Sequence, residues 1–185
     1  MIYVIDHEDS FTYNLVHLLE GFASTYVSNY YDINWHQLEK SKIIIFSPGP
    51  GNPSHYPETQ KVYKKYKGDK KIIGICLGFQ QILYAENADI VPQKKIYHGY
   101  QSKIKTLKES ALFKPNKVFL AGRYHSLKLK EPFNSLSLKI TMRCVESNVA
   151  MAIEDTINNV YGFQFHPDSF LTVDGKFLIQ KVLQL

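Results

Sequence analysis

The chain has 185 residues, of which 44% are hydrophobic and 21% charged. That is enough apolar material for one substantial core and too little length for two, so one domain over residues 1–185 is expected and long disorder is excluded. Its formal charge of +5 reflects 22 Lys plus Arg against 17 Asp plus Glu. The densest basic stretch, Lys61 to Lys71, comes with no nucleic-acid motif and reads as a solvated helix and loop, with attraction of an anionic substrate or acidic partner as the lesser alternative.

No apolar run reaches the roughly 18 residues of a membrane span, and Met1-Ile2-Tyr3-Val4-Ile5-Asp6 lacks the basic flank of a secretory leader, so a cytoplasmic protein is expected. Two cysteines are too few to staple a domain of this size, and the histidines and cysteines show no close ligand spacing, which argues against a structural disulfide and a metal. Cys144, in Thr141-Met142-Arg143-Cys144-Val145-Glu146, reads as a small buried side chain of a strand.

Met1 to Ile5 is a short apolar run and hence a buried strand, ended by Asp6-His7-Glu8-Asp9-Ser10. Phe11, Leu15, Leu18 and Phe22 recur at helical spacing, with Gly21 at the exit. Ala23 to Ser28 fits a second strand, Trp35 to Lys40 a short helix and Ile43 to Phe46 a central strand. A helix from about His55 to Tyr66, a strand at Lys71 to Ile75 and a helix from Phe79 to about Glu86 continue the alternation, the signature of a parallel sheet covered on both faces. Beyond Ala88 the pattern turns strand-rich, with runs at Ile90 to Val91, Ser102 to Ile104, Lys117 to Ala121, Leu136 to Met142, Ala150 to Glu154 and Val160 to Phe165. An antiparallel extension of the parallel sheet is therefore expected. A last helix, Lys176 to Leu185, is expected to turn Phe177, Leu178 or Ile179, and Val182 toward the core. The fold class is thus α/β: one open, mostly parallel sheet with helices on both faces.

The chemistry-bearing residues fall at the ends of these strands. Cys76, in Gly74-Ile75-Cys76-Leu77-Gly78-Phe79-Gln80, follows a strand and precedes a helix, where a strained turn can expose a nucleophile above a parallel sheet. The flanking glycines remove Cβ atoms where the turn is tight, and a helix start would favour thiolate and offer free N–H groups to an oxyanion. A second loop, Ser47-Pro48-Gly49-Pro50-Gly51-Asn52-Pro53, leaves the neighbouring strand and can wall the same site with backbone N–H groups. Without a Lys-Ser/Thr pair it is not a phosphate loop. His166 ends the run Val160 to Phe165, and Asp168 lies two residues on, able to orient the imidazole. A thiol, a base and a carboxylate are the parts of a covalent acyl-transfer enzyme. The other six histidines are read mostly as surface or supporting groups.

With these motifs in place, the chain resembles the class I (triad) glutamine amidotransferases nearly from end to end. More narrowly, it resembles the small subunits that serve the chorismate-using anthranilate and aminodeoxychorismate synthases. Asp9 to Leu15, the Pro/Gly loop at Ser47 to Pro53, the Cys76 motif, His98-Gly99, Arg123-Tyr124-His125-Ser126-Leu127 and His166-Pro167 follow that family's order. The resemblance implies a flavodoxin-like sheet and a catalytic triad of Cys76, His166 and Asp168. It also implies an oxyanion hole from the Gly49 and Leu77 amides, and a glutamine site formed by Gly49, Pro50, Gly51, Gln80, Ser126 and Leu127. No cofactor in this chain is implied, and Mg2+ would belong to the partner synthase subunit.

One departure is that aspartate stands at 168 where the family carries glutamate. A side chain one methylene shorter requires either an inward backbone shift or a longer contact to His166, and reduced but retained activity is expected. A second departure, Tyr100-Gln101, lies near the loop expected to face the partner. The expected activity is hydrolysis of glutamine through a Cys76 thioester, feeding ammonia to a synthase that makes anthranilate. Aminodeoxychorismate synthase, or service to both, is the alternative. A free-standing hydrolase of γ-glutamyl compounds is a further enzyme option, and a non-catalytic regulatory or binding subunit is the different class of answer.

Overall fold

The computed structural model describes residues 1–184. Along the chain it contains β1 (Ile2–Asp6), α1 (Thr12–Glu20), β2 (Thr25–Asn29), α2 (Trp35–Lys40), β3 (Ile43–Phe46), α3 (Pro57–Tyr66), β4 (Lys71–Ile75) and α4 (Leu77–Ala85). Then follow β5 (Ile90–Pro92), β6 (Tyr100–Thr106), β7 (Val118–Arg123), β8 (Leu127–Leu129), β9 (Lys139–Cys144), β10 (Ala150–Asp155), β11 (Val160–Phe163) and α5 (Gly175–Leu183). The main sheet runs β2-β1-β3-β4-β11-β10-β9-β6-β7, and β5 pairs with β8 in a separate ribbon. From β2 to β11 the pairing is parallel, and from β11 to β7 antiparallel. This single α/β domain is the expected parallel sheet with an antiparallel extension.

Strand alternation sorts the core into two layers. Ile2, Val4, Ile45, Ile73 and Ile75 face one side and pack with Leu15, Val16 and Leu19 of α1 and Leu178, Ile179 and Val182 of α5. Tyr3, Ile5, Ile44, Phe46 and Ile72 face the other, beneath Leu38 of α2, Val62, Tyr63 and Tyr66 of α3, and Phe79, Ile82 and Leu83 of α4. Continuous apolar strands are the consequence of helices on both faces. The parallel register sets Ile5 beside Phe46, Phe46 beside Gly74 and Ile75 beside Phe163, so the loops after β1, β3, β4 and β11 emerge together. Ligand sites of open α/β sheets form at this edge.

Several expectations need correction. Phe177 is about half exposed, lying edge-on to Phe113 at 6.5 Å rather than in the core. The last helix runs Gly175–Leu183, and Leu185 lies outside the described residues. Helix α4 starts at Leu77, two residues earlier than Phe79, because Cys76 itself is its N-cap. Strand β9 starts at Lys139 rather than Leu136, since the Leu138 amide turns back onto Ser135 Oγ and Leu136 is fully exposed. The ribbon strand β8 was unforeseen because three residues are too few to show alternation.

Lys71 does not belong to the solvated basic face. It is buried, and its Nζ donates to the Val182 and Leu183 carbonyls at the end of α5 at 3.0 and 3.2 Å. Among the described residues no helix is long and apolar enough to cross a membrane, and Cys76 and Cys144 are both buried and free.

Candidate active site

The turn from β4 into α4 is made by two absent side chains. A Cβ on Gly74 would lie 2.3 Å from the Gly78 carbonyl, and one on Gly78 would lie 2.1 Å from the Phe46 carbonyl oxygen. Only glycine lets the helix start this close to the sheet. Cys76 absorbs the reversal with φ 53° and ψ −100°, a strained conformation for a side-chain-bearing residue. Its N–H donates to the Phe163 carbonyl at 2.8 Å, and its own carbonyl accepts the Gln80 amide at 3.2 Å. The sulfur therefore sits at the head of α4, where the first N–H groups of a helix have no intrahelical acceptor.

His166 follows β11. Its N–H donates to the Gly122 carbonyl at 3.0 Å, and its carbonyl accepts the Thr172 hydroxyl at 2.6 Å, while Thr172 Oγ1 accepts the Gly122 amide at 2.9 Å. This clamp ties the loop that carries His166 to β7. The imidazole packs against the rings of Phe11 and Tyr124, with centroids 5.1 and 5.0 Å away. Asp168 Oδ2 stands 3.6 Å from His166 Nδ1 with both side chains buried. That is ion-pair distance but beyond a hydrogen bond, and neither ring nitrogen nor either carboxylate oxygen has a hydrogen-bond partner among the described residues. Of the two ways to accommodate a shorter carboxylate, the chain has the longer contact. Burial by itself would push the imidazole pKa down, but the adjoining Cys76 sulfur and the Asp168 carboxylate outweigh it and hold His166 well above the usual histidine range.

The Pro/Gly loop is fixed from behind by a histidine that sequence reading counts only among the supporting groups. His7 is fully buried. Its N–H donates to Ser47 Oγ at 2.9 Å, its Nδ1 lies 3.2 Å from the same oxygen, and its Nε2 shares a 2.9 Å hydrogen bond with Thr59 Oγ1. Ser47 in turn donates to the Pro48 carbonyl at 2.6 Å, and Tyr56 donates to the Pro50 carbonyl at 2.7 Å. Gly49 is thereby pressed against Leu77, whose Cδ2 a Cβ at 49 would meet at 2.6 Å. The signal for His7 was its place directly after β1, at the edge where these loops converge.

A cavity of about 240 Å³ joins these parts, lined by Gly49, Pro50, Gly51, Cys76, Leu77, Gln80, Ser126, Leu127 and His166 together with Asp9, Phe11, His98 and Tyr124. Every sequence-derived site residue is therefore on this cavity except Asp168, which sits behind His166. Gln80 is engaged within the protein, its Nε2 donating to Gln164 Oε1 at 3.0 Å. Gln164 Nε2 lies 3.8 Å from the Cys76 sulfur, a neighbour that the alternating run Val160 to Phe165 did not single out.

The Ser126-Leu127 segment is braced by His125, whose Nδ1 lies 2.8 Å from the Leu127 carbonyl and whose Nε2 accepts from the buried Arg123 Nε at 3.0 Å. The Arg123 guanidinium stacks 3.5 Å above the Tyr97 ring. Burial and then the Arg123 charge push the His125 pKa down to about 3. The volume is below the roughly 300 Å³ typical of drug-sized pockets and suits a ligand of amino-acid size. A thiol, an imidazole and a helix start around one small cavity are equipment for acyl transfer.

Comparison with known proteins agrees. The chain is 36% identical to anthranilate synthase component 2 of Lactococcus lactis, over 97% of this chain and 92% of that protein. It is 39% identical to anthranilate synthase component 2 of Pyropia yezoensis, over 100% and 99%. Its fold superposes with a TM-score of 0.75 on the crystal structure of a glutamine amidotransferase from Thermotoga maritima, covering 99% of this chain and 96% of that one at 14% identity. The family model for class-I glutamine amidotransferases matches residues 3–185; with a cysteine elbow, a histidine and a glycine-walled cavity at the sheet edge where such chemistry is done, the chain belongs to the class-I glutamine amidotransferase family.

Proposed function

We propose that this chain is the glutaminase component of an anthranilate synthase, supplying ammonia to a chorismate-using partner subunit. The observation that carries the chemistry is the Cys76 elbow at the head of α4, sharing one cavity with His166, Gly49 and Leu77. The Cys76 thiolate attacks the glutamine carboxamide carbon, and the oxyanion that forms is received by the N–H groups of Gly49 and Leu77. Collapse breaks the C–N bond, with His166 giving its proton to the departing ammonia. Water deprotonated by the same imidazole then adds to the γ-glutamyl thioester, the C–S bond breaks, and glutamate leaves.

Asp168 stabilises the imidazolium from 3.6 Å. The Gly49-Pro50-Gly51 loop, Gln80 and the Ser126-Leu127 backbone hold the amino-acid end of the substrate. Nothing in this cavity is large enough to hold chorismate as well, so the second substrate belongs to the partner. Near full-length likeness to two anthranilate synthase components at 36% and 39% identity supports that partner over others. A cytoplasmic setting with free thiols fits the same reading.

The test mixes the purified chain with the anthranilate synthase component I of its organism, chorismate, magnesium and glutamine, and follows anthranilate fluorescence. Cys76→Ser is expected to abolish glutamine-dependent anthranilate while leaving ammonia-dependent synthesis intact. Unchanged glutamine-dependent synthesis by that variant would refute the catalytic assignment. Product only with an aminodeoxychorismate synthase partner would move the chain to that enzyme.

A further inference from the structure

The hydrogen bond that ordinarily fixes a triad histidine is missing here: Asp168 stops 3.6 Å short of Nδ1, and among the described residues no other group bonds either ring nitrogen. Yet the imidazole is buried and in a defined place, so something else holds it. Two rings do. Tyr124 meets it at 5.0 Å with an interplanar angle of 69°, and Phe11 at 5.1 Å and 63°, while Phe11 and Tyr124 touch each other at 4.7 Å. Tyr124 is the better anchored of the pair. Its hydroxyl shares a 3.0 Å hydrogen bond with Ser169 Oγ, in the loop that carries His166, and the Ser169 amide donates to the His166 carbonyl at 3.3 Å. Its far side meets the His98 ring at 5.9 Å. Edge-to-face contacts of this kind are directional as well as attractive.

We propose that Tyr124, seconded by Phe11, is the positioning residue for His166 in this chain, doing by aromatic packing the orienting that a longer carboxylate would do by hydrogen bonding. The inference rests on the glutaminase reading above and extends it to a side chain of the cavity wall that orients the base. A positioning role puts its effect on the chemical step, because a tilted imidazole leaves the Gly49 and Ser126-Leu127 backbone in place; a loss at the cavity wall alone would instead fall on KM. Misplacing a reacting group by about 1 Å can cost on the order of a hundredfold in rate.

Steady-state kinetics on the complex with component I test this. Tyr124→Leu is expected to lower kcat about 10- to 100-fold with KM for glutamine within about twofold. Tyr124→Phe, which keeps the ring, should return kcat to within about threefold of the native value. Adding Asp168→Glu to Tyr124→Leu should recover part of the loss by supplying the missing hydrogen bond. A readout independent of turnover is the rate at which iodoacetamide alkylates Cys76 near neutral pH, followed by peptide mass. It should slow in Tyr124→Leu and recover in Tyr124→Phe, since the thiolate depends on a correctly placed imidazole.

Full kcat in Tyr124→Leu, an equal loss in Tyr124→Phe, or a change confined to KM would each overturn the proposal. If the native complex hydrolyses no glutamine, the functional reading fails instead, and the alkylation rates still decide the role of Tyr124.

Discussion

At the scale of single residues, three buried histidines carry opposite pH dependences. Burial pushes His7 down to about 3, and burial with the Arg123 charge does the same to His125. Both are neutral in the folded protein but accept a proton near the ordinary value of about 6.5 once unfolded. Their stability is therefore complete above that value and is lost as the pH falls toward 3, at about 1.4 kcal/mol per pH unit for each histidine. His166 behaves oppositely: its raised folded pKa gives a contribution that is whole below the unfolded value and fades as the pH climbs through the folded one. The urea midpoint should peak near neutral-acidic pH, and His7→Gln should flatten the acid limb by about half. An unchanged acid limb in that variant would show that His7 is not held neutral by its burial between Ser47 and Thr59.

At the scale of elements, the decisive contact is the seating of α4 on the sheet. Because a Cβ at 78 would sit 2.1 Å from the Phe46 carbonyl oxygen, Gly78→Ala must push helix and strand apart and is expected to cost at least about 1–3 kcal/mol. Its Cys76 should also lose reactivity, since the elbow moves with the helix. Gly21 supplies the contrast: it caps α1 at φ −64°, and a Cβ there would meet its nearest atom at 3.4 Å. Gly21→Ala should therefore stay within about 0.5 kcal/mol of the native stability or slightly above it. Thermal unfolding of the two variants side by side checks the argument, and equal losses would mean that ordinary helix-end effects, not the approach to Phe46, set the cost.

At the scale of the whole molecule, the exposed apolar residues include Tyr13, Ile96, Tyr100 and Phe170, each within four residues of a cavity-lining residue, Phe11, His98 or His166. Glutamine hydrolysis without an acceptor for the ammonia is wasteful, and the ring of His98, in the stretch between β5 and β6, reaches Tyr124 at 5.9 Å. Glutaminase activity of the isolated chain should thus be low and rise on adding component I with chorismate, measured as glutamate release. Equal rates with and without the partner would eliminate gating.

By itself the sequence determined the apolar strands at Ile2 to Ile5, Ile43 to Phe46 and Ile72 to Ile75, because burial on both faces replaces polar alternation with a continuous hydrophobic run. It also pointed to Cys76 as the candidate nucleophile, because glycines on either side of a cysteine at a strand-to-helix turn mark a tight elbow, and the structure has that elbow. Only the tertiary structure decided the start of α4, which depends on Cys76 taking a positive φ, and the exposure of Phe177, whose helical phase matches both core and rim. The same holds for the support of the site. The His7 to Thr59 bond spans 52 residues, and the packing of Phe11 and Tyr124 around His166 joins three segments distant in the chain. Local pattern records which way a side chain leaves its own strand or helix, whereas such contacts depend on where other segments arrive, and that is fixed only when the sheet closes around its core.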